Sequence, residues 1–180
     1  MRCPSPGVGT VSKEEPFRAL GYHAHYSGQK SYNGVAVLTP LEAKDISTSF
    51  PGYDETQKRY ISITASGVRI VNIYVPNGSD IATGQYDYKL EWLQNFSRHL
   101  KEELNRHKNT VVMGDFNIAP ADADVFDPSI CAGQILCSDA EREALTALMG
   151  EDLVDVFRQC NAEKQAFSWW DYRGGSISKE

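Results

Sequence analysis

The sequence predicts an α/β fold in which helices cover a mixed β-sheet. Two apolar runs, residues 60–65 and 68–75, flank Ser66-Gly67 as the strands of a hairpin flank their turn. Residues 86–107 place leucines at helical spacing and charged residues on other faces, which indicates a helix lying on a sheet. Strands mixed with helices around a hairpin favour a mixed sheet over an all-parallel one.

The other elements are predicted from shorter signals. Ser12 and Glu15 have the spacing of a capping box, which predicts a helix over residues 14–20. Ser138 and Glu141 repeat that spacing and predict a helix that ends near residue 149. Apolar runs and turn residues predict strands at 22–26, 35–39 and 110–113, a helical turn at 153–158, an irregular insert at 118–138 and a disordered start at 1–11.

Length, charge and hydropathy limit the class of protein. A chain of 180 residues with 41% hydrophobic content fits one globular domain, 1–180. Its formal net charge of −6 argues against a general polyanion-binding surface but is compatible with a local basic patch. Because the sequence has neither an apolar run of membrane length nor an apolar signal segment, we expect a protein that does not bind membranes. We also expect it to be cytoplasmic, and a monomer if it folds.

Cysteine and histidine spacing gives weaker indications. The four cysteines, at positions 3, 131, 137 and 160, lack paired C-x-x-C spacing, which predicts reduced thiols and neither a disulfide framework nor a zinc site. His23 and His25 alternate on a predicted strand and indicate structural residues. His99 and His107 are expected on the surface of the long helix.

The run VVMGDFN at residues 111–117 is the most informative motif. It predicts a short strand ending in a Gly-Asp turn, and residues just past such a strand project into the crevice where open α/β sheets bind ligands. Asp115 can ligate a hard cation or accept a proton from water, and the Asn117 amide can hold a phosphate oxygen or orient a water. Since these residue types also dominate turns, the motif alone leaves a solvated turn open.

Three further segments accompany this motif: QKSYNG at 29–34, NIYVPNG at 72–78 and FSWWDYR at 167–173. In this order and spacing, the four segments resemble the exonuclease III family of AP endonucleases, within the endonuclease/exonuclease/phosphatase superfamily. The resemblance covers nearly the whole chain. It implies a partial four-layer α/β/β/α sandwich with mixed, mostly antiparallel sheets, and Mg²⁺-dependent hydrolysis of DNA phosphodiesters, with Mn²⁺ as a possible substitute.

The resemblance also implies roles for single residues at the reacting phosphate. Asp115 matches the family's catalytic Asp, which helps to generate the nucleophile close to the metal. Asn117 matches the Asn that contacts the phosphate and helps to position the metal site. Tyr74 matches the Tyr at the scissile phosphate, where a phenol can donate to a developing oxyanion. Asn77 resembles a phosphate-contacting position. Alone, Tyr74 would indicate a half-buried strand residue and Asn77 an ordinary turn residue.

A second group of residues is implied in DNA contact. Trp169 matches the aromatic residue lining the pocket for an abasic sugar, which would select a flipped nucleotide lacking its base. Core packing is the alternative for this tryptophan. Lys30 and Tyr32 match a loop that meets the duplex, and Arg173 would contribute a further contact. The implied activities are AP endonuclease and 3′–5′ exonuclease in base-excision repair, on double-stranded DNA with abasic sites or 3′ ends.

The sequence departs from the family pattern near both ends. The family's Gln-Glu-Thr-Lys strand, whose Glu binds the metal, and its closing Asp-His segment have no counterpart. Because catalytic groups that act as a unit fail together, we expect negligible activity from this chain alone, and an inactive fragment or DNA-binding remnant is the alternative. Missing strands would also expose sheet edges and reduce solubility. A relative acting on phosphorylated lipids or sugars fits the segments at 29–34 and 167–173 less well.

Overall fold

The computed structural model describes residues 14–54, 56–162 and 164–167. The chain divides into two compact units, the first formed by Met1–Pro76 with Gln94–Phe116 and the second by Asn77–Leu93 with Asn117–Glu180. The predicted disordered start and the capping role of Ser12 lie outside the described residues. Organisation as a single domain stays a prediction.

The first unit contains the two sheets formed by the described residues. A short helix, α1 (Glu15–Ala19), precedes an antiparallel pair, β1 (His23–Gly28) and β2 (Gly34–Thr39). A second sheet has the order β3-β4-β5-β6, in which only the β5–β6 pair is parallel. Its strands are β3 (Ala43–Ser47), β4 (Tyr60–Ala65), β5 (Val68–Tyr74) and β6 (Thr110–Asp115). The predicted α/β class with mixed, mostly antiparallel sheets is therefore confirmed.

One face of the larger sheet packs against β2. Ile61, Ile63 and Ala65 of β4 are buried with Val35 and Val37 of β2 in a single apolar cluster. The spacing of two between these residues is that of one strand face, as the sequence pattern requires. The sequence did not predict β3, because Ala43–Ser47 is short, polar and interrupted by an irregular register.

The opposite face of β4 and β5 packs against the long helix α2 (Gly84–Arg106), whose residues from Gln94 onward belong to the first unit. Phe50, Tyr60, Phe96 and His99 form an aromatic cluster on this face. The His99 ring stacks on Phe50, and its Nε2 lies 2.9 Å from the Tyr60 hydroxyl. The expectation of a surface position for His99 is wrong, because the helix turns this residue toward the sheet.

A buried ion pair joins α2 to the same face. Arg69 of β5 donates to Glu103 of α2 at 2.5 Å, and both side chains are 5% exposed. The guanidinium also donates to the Ser62 hydroxyl and to the carbonyl of Asp45, at 2.8 and 2.6 Å. A buried charge is costly unless its hydrogen bonds are satisfied, and this guanidinium meets acceptors on β3, β4 and α2.

The second unit is mainly helical. It contains the first turns of α2, α3 (Pro128–Cys131), α4 (Asp139–Met149), α5 (Val156–Cys160) and a 3₁₀ turn at Asp122–Asp124. The predicted capping box opens α4, since the Ser138 hydroxyl accepts from the Glu141 amide and the Glu141 carboxylate accepts from the Ser138 amide. No helix in the described part of the chain is long and apolar enough to cross a membrane.

The prediction of reduced thiols is wrong for two of the cysteines. Cys131 and Cys137 form a disulfide across 5.7 Å between their Cα atoms. The turn at Gly133, where φ is +69°, lies between them, so a separation of six residues suffices without a C-x-x-C motif. Cys160 is free and exposed, and Cys3 lies outside the described residues.

The stability of the first unit should fall in mild acid because of His99. Burial against Phe50 and Tyr60 lowers the pKa of His99 below its ordinary 6.5, and this effect outweighs the nearby Glu102 and Glu103 carboxylates. The folded state then binds fewer protons than the unfolded state, so stability is lost as the pH falls from 6.5 toward the folded pKa.

Urea unfolding at pH 7 and pH 5.5 would measure this loss. His99→Gln should reduce it, whereas His107→Gln, placed after the end of α2, should leave it unchanged. An equal pH dependence in the wild type and His99→Gln would contradict this origin.

The disulfide should be detectable chemically and energetically. Alkylation of unreduced protein followed by mass spectrometry should label Cys160 and leave Cys131 and Cys137 unmodified. Cys131→Ser should lower the free energy of unfolding by about 2 kcal/mol, as expected for a short closed loop. Cys160→Ser is the control and should change it by less than about 0.5 kcal/mol. Labelling of Cys131 and Cys137 as well as Cys160 would refute the disulfide.

Candidate active site

Two of the predicted catalytic residues meet at the end of the β5–β6 pair. Tyr74 and Asp115 are register partners, so they lie side by side at the carboxyl ends of neighbouring parallel strands. The Val75 amide donates to the Asp115 carbonyl at 2.9 Å and extends the pairing past both strand ends. Asp115 is exposed and Tyr74 is half-buried. Ligands of α/β sheets bind at this kind of edge.

The residue before Asp115 must be glycine. Gly114 has a φ of +129°, and a Cβ built on it would lie 1.9 Å from the Ile73 carbonyl oxygen and 2.7 Å from the Asn72 side-chain oxygen. Close approach of β6 to β5 therefore depends on the missing side chain. By allowing this close approach, the Gly in the VVMGDFN motif lets Asp115 lie next to Tyr74.

Arg59 contacts the Tyr74 ring, and sequence reasoning did not select it. Its guanidinium lies 4.5 Å from the centre of that ring, and its Nη1 is 3.4 Å from the Tyr74 carbonyl. Gln57 accepts from its Nε at 2.8 Å. Arg59 is only 9% exposed, so its guanidinium contacts the ring in a partly desolvated setting, where a cation–π contact is stronger. Its burial is set by packing and is not visible in the sequence, so no sequence signal identified it.

The predicted DNA-contacting loop lies near this arginine. Lys30 and Tyr32 occupy the β1–β2 connection and are exposed, Tyr32 by 76%. Gln29, at the start of this loop, accepts from the Lys58 amide at 3.2 Å and from the Asn33 side chain at 3.3 Å. These bonds tie the loop to the residue that precedes Arg59. The loop therefore lies at the same end of the first unit as Tyr74.

In the second unit, the two predicted phosphate-contacting amides meet each other. Asn77 Nδ2 donates to Asn117 Oδ1 at 3.3 Å, and the Ser79 amide donates to Asn77 Oδ1 at 3.2 Å. Asn117 has a φ of +48°, a left-handed conformation that Asn tolerates better than most residues. The structure thus brings together two residues that are 40 positions apart in the sequence.

A buried lysine fastens the backbone of both asparagines. Lys89, on α2, is fully buried and donates from Nζ to the carbonyls of Asn77 and Asn117, at 3.2 and 2.6 Å. Its third acceptor is the carboxylate of Glu141 on α4. Sequence reasoning missed this residue, yet a Lys on the apolar face of a helix, at i−4 from Leu93, is a signal of a buried polar role.

The remaining predicted site residues, Trp169 and Arg173, lie outside the described residues. The described residues contain no cluster of three or more His, Cys, Asp or Glu side chains. Asp115 nevertheless offers an exposed carboxylate, and Mg²⁺ is commonly held by one or two carboxylates together with waters and substrate phosphates. The donor type at Asp115 therefore fits this ion.

Comparison with known proteins identifies the family. The model of the "Endonuclease/Exonuclease/phosphatase family" matches residues 6–179. The chain belongs to this family. It is 34% identical to exodeoxyribonuclease III of Haemophilus influenzae over 167 residues, which cover 86% of this chain and 62% of that protein. The branch predicted from the motifs, exonuclease III and AP endonucleases, is confirmed.

Solved structures agree in fold. A 3′ phosphatase from Neisseria, NExo, bound to product DNA hairpin, superposes with a TM-score of 0.88 and 36% identity, over 93% of this chain and 65% of that one. An AP endonuclease from Archaeoglobus fulgidus gives a TM-score of 0.86 and 30% identity, over 93% and 65%. The endonuclease/exonuclease/phosphatase chain described here thus spans about two thirds of the length of these relatives.

Replacing Gly114 tests the geometry of the site. Gly114→Ala should lower the free energy of unfolding by about 3 kcal/mol, because the new methyl group would overlap the Ile73 carbonyl. Gly67→Ala is the matched control, since its φ of +77° is also positive but nothing lies within 4 Å of the added Cβ. The control should lose only about 1 kcal/mol. If urea unfolding shows that both variants lose the same free energy of unfolding, close contact between β5 and β6 is not the reason for glycine at position 114.

Proposed function

We propose that this chain carries the phosphodiester-hydrolysing groups of an exonuclease III-type DNA repair nuclease, dependent on Mg²⁺ and acting at abasic sites or 3′ ends. The observation that supports this most is the side-by-side placement of Tyr74 and Asp115 at the carboxyl ends of β5 and β6. The names of the relatives, exodeoxyribonuclease III and AP endonuclease, favour DNA as the substrate.

Each residue is assigned a part of the chemistry. Asp115 would accept a proton from the attacking water and supply a carboxylate to the metal. Tyr74 would donate its phenolic proton toward the developing charge on the phosphoryl oxygens, with its ring held by Arg59. Asn77 and Asn117 would donate amide hydrogens to phosphate oxygens, and Asn117 is the second proposed oxygen ligand. Mg²⁺, when bound, would supply Lewis-acid stabilisation of the phosphoryl group.

DNA contact is assigned to exposed residues at the same end of the first unit. Lys30 and Tyr32 would meet the sugar-phosphate backbone, the first by charge and the second by stacking or hydrogen bonding. Trp169 and Arg173 are proposed contacts from the sequence motif alone. Because the chain as a whole has a net charge of −6, a local basic group favours DNA contact at one small surface over non-specific binding along the duplex.

Cleavage and binding of a duplex with one abasic site test this function. Mg²⁺-dependent cutting, abolished by EDTA and lowered at least about 10³-fold by Asp115→Asn, would support catalysis and overturn the expectation that the chain alone is inactive. Asp152→Asn, an exposed acid on a turn, is the control and should cut like the wild type.

Other outcomes separate the alternatives. Binding without cutting, by protein with a cooperative thermal transition, would favour a DNA-binding remnant. If the protein neither binds nor cuts the duplex, that result contradicts the proposed function. Hydrolysis of inositol phosphates with no action on DNA would favour a relative that acts on phosphorylated lipids or sugars.

A further inference from the structure

We propose that Lys89 and Glu141 form a positioning pair that holds the amides of Asn77 and Asn117 ready for phosphate. This inference rests on the proposed function, because it concerns how the same asparagines are held. Neither Lys89 nor Glu141 would touch the substrate, since both side chains are fully buried. They would act through the backbone of the two asparagines.

The hydrogen bonds of Lys89 match its chemistry. A lysine ammonium has three N–H donors and no acceptor. Its acceptors include these three: the Asn77 carbonyl at 3.2 Å, the Asn117 carbonyl at 2.6 Å and a Glu141 carboxylate oxygen. Two of these three belong to the residues whose side chains are proposed to hold the phosphate. The ammonium is therefore the point at which both asparagine backbones are joined.

The stem of Lys89 adds a packing constraint. A Cβ on Gly78 would lie 3.1 Å from Lys89 Cδ and 2.9 Å from the Ile135 side chain. The turn that follows Asn77 thus lies directly against the lysine stem. Because Gly78 has a φ of +89°, this turn is restricted by both its backbone conformation and its neighbour. Loss of the stem would free the turn as well as the carbonyl.

Glu141 connects the lysine to a rigid support. Its first carboxylate oxygen also accepts from the Leu136 amide at 3.2 Å, and its second accepts from the Ser138 amide and hydroxyl at 3.1 and 2.7 Å. The Ser138 hydroxyl is in turn 2.6 Å from the Tyr86 hydroxyl of α2. The same carboxylate caps α4 and accepts from Lys89. The two asparagine backbones are therefore linked, through Lys89 and Glu141, to the N-terminus of α4.

A buried pair in the first unit provides a comparison, because it contacts no proposed site residue. Arg69 and Glu103 are 5% exposed and bridge β5 to α2 in the first unit. Arg69 donates to Glu103, to the Asp45 carbonyl and to the Ser62 and Thr64 hydroxyls, and none of these is a proposed site residue. Removing this pair provides a matched control for the loss of a buried charge pair elsewhere.

Three variants of the full chain test the proposal. Lys89→Met leaves the Glu141 charge buried without its cation and should lower the melting temperature. Lys89→Met combined with Glu141→Gln removes both charges but keeps an oxygen for the Leu136 or Ser138 amide, so most of that loss should be recovered. Arg69→Met combined with Glu103→Gln is the control.

The decisive measurement is the pair of side-chain amide signals of Asn77 and Asn117 in ¹⁵N-labelled protein. We expect both to shift or broaden in the Lys89→Met/Glu141→Gln variant despite its recovered melting temperature, and to stay in place in the control. If the wild type cleaves the abasic duplex, cleavage should fall about 100-fold in the same variant, as it does when a reacting group is misplaced by a distant substitution.

Unchanged amide signals in the Lys89→Met/Glu141→Gln variant, or equal shifts in the control, would overturn the positioning role. If the wild type neither binds nor cuts DNA, the proposed function fails, but the amide signals still decide whether Lys89 orders the two asparagines.

Discussion

The parallel hydrogen bonding of β5 with β6 is the interaction on which the candidate site depends. Parallel strands need a long crossover, and α2 supplies it between Tyr74 and Thr110. Because the strands run in the same direction, their carboxyl ends coincide, and the register brings Tyr74 beside Asp115. Gly114 permits this close approach, since any larger residue would meet the Ile73 carbonyl. A shift of one residue in this pairing would turn Asp115 to the other face of the sheet.

Buried charge is used differently in the two units. In the first, the Arg69–Glu103 pair joins β5 to α2 and satisfies polar groups of the sheet. In the second, the Lys89 ammonium takes backbone carbonyls as two of its acceptors. A buried pair is weak evidence of stability, because desolvation offsets the attraction between its charges. A more specific explanation is therefore needed for a lysine placed on the buried face of a helix, and order in the Asn77 and Asn117 loops provides one.

Two exposed apolar residues of β6 are expected to lower the solubility of the chain. Val111 and Met113 are 44% and 43% exposed, and β6 is the outer strand of its sheet among the described residues. An outer strand with exposed apolar side chains favours association with other strands. This agrees in direction with the low solubility expected from the sequence, which stays a prediction.

The family resemblance selected Tyr74 and Asn77, whereas local pattern in the sequence determined the hairpin of β4 and β5, the long helix, the capping box of α4 and the candidates Asp115 and Asn117 at the end of β6. Each of these depends on residues close together in the chain, where periodicity and turn chemistry act. Only the tertiary structure decided the burial of His99, the ring contact of Arg59 with Tyr74, the Cys131–Cys137 disulfide and the role of Lys89. The physical reason is that burial, long-range hydrogen bonds and the meeting of distant loops are set by packing between elements, which no local spacing encodes.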